Sequence, residues 1–508
     1  MKNSNSKWIP LIIVSITLFI ALLGSTFLNA AIPQITKDLN TTIRMLQIII
    51  ATYSLIVGAL MLSAGKIQDF LGKKRILMIG AIIYILGAFI SILSFNPSIL
   101  FIGYSLIAGV GAALMIPATA SIIADSYSGK DHEFAIGLWA SLAIVGIIIG
   151  PLLGGFFTTY FSWKGAFIIL ILLMAAVIVY SRKLEDDEPI LERSDFDWWG
   201  SISSTLGLSF LVAGFLMFNN ISTWKMSPLL IATGIILLVL FYFKEKNLLK
   251  KDEEPLFDIN LLSNRTFLVS SILRSFMTLS LYGILFIMPL FMQLVLGLES
   301  IVIGVTFIPL AVSAVIFFYI STRISNIFGY KWVLSSSFII GIIGILILRF
   351  QFSLDTQIVD LIPGIFIIGI GIGLCFTEAS HLVLSSVNQG KISDASGFMV
   401  SINNLGASMG TAVVGIIFIL SIFSGLYVAM ENEFPDNDTT QLKHEVESWV
   451  DNAKSVDIEK IESPDKSKNA IIVNKSIISS IKTAFDFIAL ILAVGFFLSL
   501  FIKPPKSV

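Results

Sequence analysis

Among the side chains able to carry charge within the apolar runs of this sequence, three could do chemistry together. Arg274 lies a little over two turns into a run that begins at residue 266, and Glu378 and His381 occupy the last turns of a run that ends at 383. An ionised side chain near the centre of a bilayer costs at least about 2.5–3.5 kcal/mol, so it normally faces protein or water and has a partner. A carboxyl group that an arginine approaches and leaves changes its proton affinity as it does so, and an imidazole titrates near neutral pH. The chemistry on offer is therefore proton carriage, with Glu378 as the leading carrier, Arg274 as its partner and His381 as a relay. The competing readings are a structural ion pair, side chains reaching to the membrane surface and, for His381, a place at the interface. Asp486, in the last apolar run, reads as structural.

The elements that must position these groups are membrane helices. Of 508 residues, 56% are hydrophobic and only 13% are charged, whereas charged residues make up about a quarter of a typical soluble domain. A bilayer core about 30 Å thick needs about 20 apolar residues per spanning helix. Fourteen such runs are present, at 9–32, 45–64, 76–95, 99–124, 134–158, 164–181, 198–218, 226–243, 266–291, 299–321, 331–350, 358–383, 396–423 and 479–502. The fold class is an all-α integral membrane protein. The first run is longer than a signal-peptide core, about 7–15 residues, and is expected to stay as a helix. Lysine and arginine gather in alternate loops such as "GKIQDFLGKKR" (65–75), "SRK" (181–183) and "KEKNLLKK" (244–251). The positive-inside rule then puts both termini in the cytoplasm.

Several classes are disfavoured. The single cysteine, Cys375, cannot form an intrachain disulfide, and His132, His381 and His444 lack partners at metal-ligand spacing, so no metal site is expected. No phosphate loop of the G-x-x-x-x-G-K-[ST] type occurs, which leaves ion gradients or simple equilibration rather than ATP as the energy source. A net charge of −1 without long basic runs offers nothing to nucleic acid. No cofactor is expected.

The sequence also repeats itself. "GKIQDFLGKK" (65–74) has a degenerate echo in "TRISNIFGYK" (322–331), and "AGVGAA" (108–113) in "IGIGIG" (368–373). At an offset of about 260 residues, Gly146, Gly150 and Gly155 fall on Gly406, Gly410 and Gly415. Runs 1–6 and 9–14 read as two copies of a six-helix unit, with runs 7 and 8 inserted between them. In domain terms these are 1–183, 184–265 and 266–508, the last including an outer loop over 424–478. Within that loop, 439–456 has the pattern of a short amphipathic helix, and the loop is either a lid or mobile.

The fifth run contains "GIIIGPLLGG" (146–155). Gly146, Gly150 and Gly154 share one helix face, where small residues let backbones approach closely, and Pro151 removes a backbone donor and can kink the helix. Their echo in run 13 suggests that two related helices meet at a moving seam.

"VGIIIGPLLGG" resembles the antiporter motif, and "GKIQDFLGKKR" the loop motif, of the major facilitator superfamily. Fourteen helices, "SWKGAF" (162–167) and "DWWG" (197–200) are similar to its drug:proton antiporter branch. The resemblance implies two six-helix bundles rocking about a central cavity, an antibiotic-resistance type of multidrug transporter in the cell membrane, and proton-driven export of lipophilic, often cationic compounds. A monomer that is not an enzyme is expected, with a small lipophilic substrate and the lipid bilayer as its partners. In the loop motif, Gly65, Asp69, Gly72 and Lys73 would form a latch, Asp69 facing the N-terminus of helix 13. Phe70 stands where the family usually has arginine.

Gly24 stands where an acidic residue is typical in helix 1, and Ser105 where helix 4 usually has arginine, so both members of a charge constellation are absent together. By the same analogy helices 1, 4, 9 and 12 line the cavity, with Thr26, Asn29, Ser105 and Met115 as polar or soft wall residues and Arg274 and Glu378 facing each other across it. Abundant Phe (40) and Met (14) suit an adaptable pocket. Two alternative functions stand beside antiport. One is proton-independent export, or flipping, of a lipid-like or anionic metabolite; the other is a membrane sensor or scaffold that transports nothing.

Overall fold

The computed structural model describes residues 7–186, 197–218, 224–251, 253, 255–388, 391–433 and 466–502. Among them, fourteen helices are long and apolar enough to cross a membrane. These are α1 (Ile9–Asp38), α2 (Ile43–Leu71), α3 (Lys73–Ile92), α4 (Pro97–Ser126), α5 (Gly129–Tyr160), α6 (Trp163–Ser181) and α7 (Trp198–Met217). They continue as α8 (Ser227–Lys250), α9 (Arg265–Leu294), α10 (Ser300–Phe328), α11 (Tyr330–Gln351), α12 (Ile358–Ser385), α13 (Ile392–Glu433) and α14 (Lys466–Ser499). The protein is an all-α multi-pass membrane protein.

The segment expected to be an outer loop over 424–478 is partly helical. Both α13 and α14 run past their apolar spans, since residues such as Met, Glu, Ala and Lys favour a helix outside the bilayer. The amphipathic helix expected over 439–456 lies outside the described residues.

Gly72 and Gly329 sit at matching places of the two repeats and hold φ of 92° and 86°. Each ends a helix, α2 or α10, with its N–H bonded to the carbonyl four residues back, Gln68 or Ser325. Left-handed backbone of this kind favours glycine. Lys73, just beyond, pairs with Asp125 at the end of α4, and Lys74 pairs with Asp186 at 2.9 Å, holding that carboxyl below the usual carboxylate range. Asp69 is half-buried at the same end of α2 at which α13 begins. A Cβ at Gly65 would meet open space. This end of the molecule, where α2 ends and α3 begins, is called the basic end below, and the opposite one the far end.

The glycine faces pack within each repeat, which corrects the expectation that the two glycine helices meet one another. Gly146, Gly150 and Gly154 of α5 press on Phe19, Thr26 and Phe27 of α1, while Gly406 and Gly410 of α13 press on Ser275 and Leu279 of α9. Of these motif glycines, Gly155 and Gly415 look across, to Ser300 of α10 and Gln47 of α2. The reason lies in the backbone. Pro151 has no N–H, so the carbonyl of Ile147, four residues back, loses its helical donor. Thr26 Oγ1 donates to that carbonyl at 2.7 Å, reaching it over Gly150, where any Cβ would collide with Thr26.

The inserted helix α7 covers one seam between the repeats. Its Leu208, Leu211, Val212 and Leu216 pack on Ala51, Leu55 and Ala59 of α2 and on Leu405, Met409 and Ala412 of α13. Asp197 caps its start through Gly200 N–H at 2.8 Å and pairs with Lys244 of α8. Buried Glu245 then accepts Leu256 N–H at 2.8 Å, tying α8 to the linker before α9.

Thr26→Val is expected to lower stability by about 1–3 kcal/mol, because it strands a buried carbonyl. Pro151→Ala should restore the missing donor, so the cost of Thr26→Val should shrink in the double variant, as a double-mutant cycle by thermal unfolding in detergent would read. Additive costs would refute the pairing.

Candidate functional site

The accessible residues of the central helices stop partway along. On α1, Ile12, Ile16, Phe19 and Leu22 are exposed or partly exposed, and every residue from Leu23 to Ile32 is buried. On α9, Ile272, Arg274, Ser275 and Phe276 are partly exposed, and Met277 to Met292 are all buried. Leu114, Pro117 and Ser121 mark an accessible stripe on α4, and Ser380 is partly exposed on α12. We read these accessible faces, all toward the basic end, as the wall of a cavity that opens there.

The far end is closed by neutral hydrogen bonds between the repeats. Ser25 and Tyr282 share one at 2.8 Å, and Gln293 donates to the Ala30 carbonyl at 2.8 Å. Thr159 accepts Ile301 N–H at 3.0 Å, and Gln47 donates to the carbonyls of Thr411 and Ala412 at 2.9 and 2.8 Å. Ser25 and Tyr282 are 257 positions apart, the spacing of the "GKIQDFLGKK" repeat, so matching positions of the two halves touch.

Arg274 lies on the cavity wall, but Glu378 does not face it. One terminal nitrogen of the guanidinium bonds to Ser380 Oγ and approaches Met399 Sδ at 3.4 Å, and the group stacks 4.9 Å from the Phe376 ring. Glu378 is 0% exposed and accepts from Ser321 of α10. The hydroxyl of Ser325 faces it as well. Residues 376 and 380 share one side of α12, and 378, about 200° from 376, lies on the other. The expected ion pair across the cavity is thus corrected: Arg274 of α9 packs on one side of α12, and Glu378 leaves α12 from the other.

His381, one turn beyond Glu378 on α12, is exposed and stacks on Tyr330 of α11, ring centroids 4.0 Å apart. Asp486 pairs with Arg349 through both of its oxygens.

None of the four expected wall residues lines the cavity. Thr26 serves the Ile147 carbonyl, Ser105 donates to the Ile49 carbonyl at 2.7 Å, and Met115 lies over Gly80 of α3. Asn29 is buried at the far end, with both amide atoms unpartnered among the described residues. The stripe 114, 117, 121 carries the wall of α4, and 105 and 115 fall on its other faces. Apolar Ile12, Ile16 and Phe19, which sequence reasoning passed over, form the wall of α1 instead.

The place of the missing acid in helix 1 is filled. A Cβ at Gly24 would collide with the hydroxyl of Tyr84 from α3 and lie 3.6 Å from that of Tyr53. Tyr53 donates to the Ala21 carbonyl at 2.8 Å, Tyr104 donates to the Gly24 carbonyl at 3.0 Å, and the rings of Tyr53 and Tyr104 stack at 4.8 Å. Three phenols occupy the volume that a carboxylate side chain would need.

Two repeats of membrane helices around a cavity that opens at one end define a transporter. A sequence profile of the Major Facilitator Superfamily matches residues 14–223 and 196–411. The chain belongs to that superfamily, and it is a transporter rather than an enzyme. It is 26% identical over 421 residues to the multidrug efflux pump LfrA of Mycolicibacterium smegmatis, covering 82% of each chain. To the multidrug transporter protein MdtP of Bacillus subtilis it is 25% identical, over 97% of this chain and 92% of that one. The fold is similar to the crystal structure of a bacterial homolog of the human lysosomal transporter Spinster, inward-facing and unoccupied. That match has a TM-score of 0.62 at 14% identity and covers 99% of this chain and 100% of the other.

Each far-end bond is worth about 0.5–1.5 kcal/mol, so losing three, two from Gln47 and one from Tyr282, should shift the closed population at least several-fold. In a Cys375→Ser background, a cysteine placed at buried Ala30 should react with a small thiol reagent several times faster once Gln47→Leu and Tyr282→Phe are added. An unchanged rate would mean that these bonds do not hold the end shut.

Proposed function

We propose that the chain exports lipophilic compounds across the cell membrane by proton antiport, with the basic end in the cytoplasm and Glu378 as the proton carrier. The basic loops support the orientation, and the name of LfrA, a multidrug efflux pump, supports efflux. The observation that carries the proton reading is Glu378 itself. It is a fully buried carboxyl faced by the hydroxyls of Ser321 and Ser325, with no cation beside it among the described residues. Burying an unpaired ion costs far more than burying a neutral acid, so such a group loses its proton only when its surroundings change. It sits between α10 and α12, next to Thr377, which is partly exposed and donates to the Phe318 carbonyl of α10 at 3.2 Å. Rocking of the halves, each moving as a unit, would hydrate the acid from one side of the membrane and dry it again.

In this reading the cavity loads a lipophile from the cytoplasm, the halves rock, and the far end opens to release it. Proton entry then returns the protein to its starting state. Asp69, Gly72 and Lys73 would act as the cytoplasmic latch when that end closes.

In proteoliposomes carrying a pH gradient, adding cationic, neutral and anionic lipophiles in turn should produce a substrate-dependent change of lumenal pH. Glu378→Gln, which cannot release a proton, should cut that flux by at least about tenfold, in the range seen when a proton-transfer group is lost, while substrate still binds. Substrate movement without proton flux in the wild type would contradict antiport, and full flux in the variant would remove Glu378 from it.

A further inference from the structure

We propose that Arg274 is the head-group site of the cavity and that the preferred cargo is an amphiphile with a single anionic group, a carboxylate, sulfonate or phosphate monoester. This deepens the transport reading above and rests on it. The guanidinium lies on the wall of a cavity that opens at the basic end, and among the described residues no carboxylate pairs with it. Its partners are a serine hydroxyl, a thioether and an aromatic face. None of these neutralises a charge. Its Nε is buried without any partner among the described residues. The one acid nearby in sequence, Glu378, is turned onto α10 and occupied by Ser321. An arginine held in low dielectric without a counter-ion is short of one negative charge, and its planar fork matches an oxyanion in bidentate fashion.

The rest of the wall says what that anion is attached to. Ile12, Ile16, Phe19 and Leu22 present an apolar strip on α1, about 15 Å long at 1.5 Å per residue, and Leu114 and Pro117 extend it on α4. On the side of the arginine lie the partly exposed polar groups Ser380 and Asn403, the latter accepting from buried Thr278, and the one polar group of the α4 stripe, Ser121, is engaged by Gln68. One wall is fitted to an apolar body and the other to a charged head. Gly24 and the three phenols around it add no opposing carboxylate, so nothing described on the α1 side favours a cation. Export of an anion in exchange for an entering proton moves positive charge inward on both legs, so an inside-negative potential drives the whole cycle.

The test is equilibrium binding to the purified full chain, with three matched probes: a naphthyl-substituted hexanoic acid, its methyl ester and the corresponding amine. Wild type should bind the acid at least about tenfold more tightly than the ester, the order expected of a charge-assisted hydrogen bond, and the amine least. Arg274→Gln should bring acid and ester to equal affinity with ester binding unchanged, the ester serving as the check that the variant folds. Arg274→Lys should keep part of the preference. A second anion, 1-oleoyl lysophosphatidate, separates the sources of the head group: tighter binding than the short acid points to a membrane lipid, weaker binding to a free organic acid. Equal affinities in wild type, preference for the amine, or a preference that survives Arg274→Gln would overturn the proposal. Acid preference without proton flux in vesicles would sink antiport and leave this site standing, whereas flux without acid preference would do the reverse.

Discussion

The carbonyl of Ile147 is the point on which the N-terminal repeat turns. Pro151 deprives it of its helical partner, Gly150 clears the space above it, and Thr26 of α1 crosses that space to satisfy it. In lipid no water can substitute for the missing donor. α5 therefore cannot slide or rotate against α1 without leaving a buried acceptor unmet. The C-terminal repeat reaches the same close approach by a related bond, Ser275 Oγ to the Ile402 carbonyl at 2.8 Å beside Gly406. Each repeat is thus locked around its own first helix, which makes it able to move as a unit.

The joint between the repeats is built differently. It uses neutral hydrogen bonds, three donated by Gln47 and Gln293 to main-chain carbonyls, one accepted by Thr159 from Ile301 N–H, and one within the Ser25–Tyr282 pair. Such bonds each contribute little net free energy and leave no stranded charge when they part. Strong locking within a repeat and weak closure between repeats is the combination that rocking requires. The replacement of a helix 1 acid by Tyr84 fits the same pattern, since phenols fill the volume without placing an unpaired ion in the N-terminal repeat. The cavity is left with one cation on one wall, Arg274, and a buried acid behind that wall, Glu378.

Much of this was legible in the sequence because it depends on period and repetition. Fourteen apolar runs foretell fourteen helices, and the echo of Gly72 in Gly329 reflects a shared left-handed turn that no other residue type adopts readily. The glycine spacing foretold close packing but not its partner, since a helix face does not say which helix it meets. For the same reason Glu378 was set against Arg274. Assigning all of α12 to the cavity ignored that residues two apart point in nearly opposite directions, although that arithmetic was available. Tyr84 standing in the place of a Gly24 side chain could not be read, because the two meet only through the packing of α3 on α1. The apolar wall of α1 was hidden in plain composition: isoleucines facing a cavity look the same in sequence as isoleucines facing lipid.

The central claim is that two locked repeats pivot between an end closed by neutral bonds and an end open to a cavity. The direct measurement is the distance between spin labels at the two ends, by double electron–electron resonance in a Cys375→Ser background. One pair would sit at Ser126 and Ser385 at the basic end, the other at Phe95 and Asp355 at the far end, all exposed positions. Changing pH in the presence of a lipophilic anion should shorten the first distance while lengthening the second. Distances that stay fixed, or that change at one end alone, would contradict the pivot.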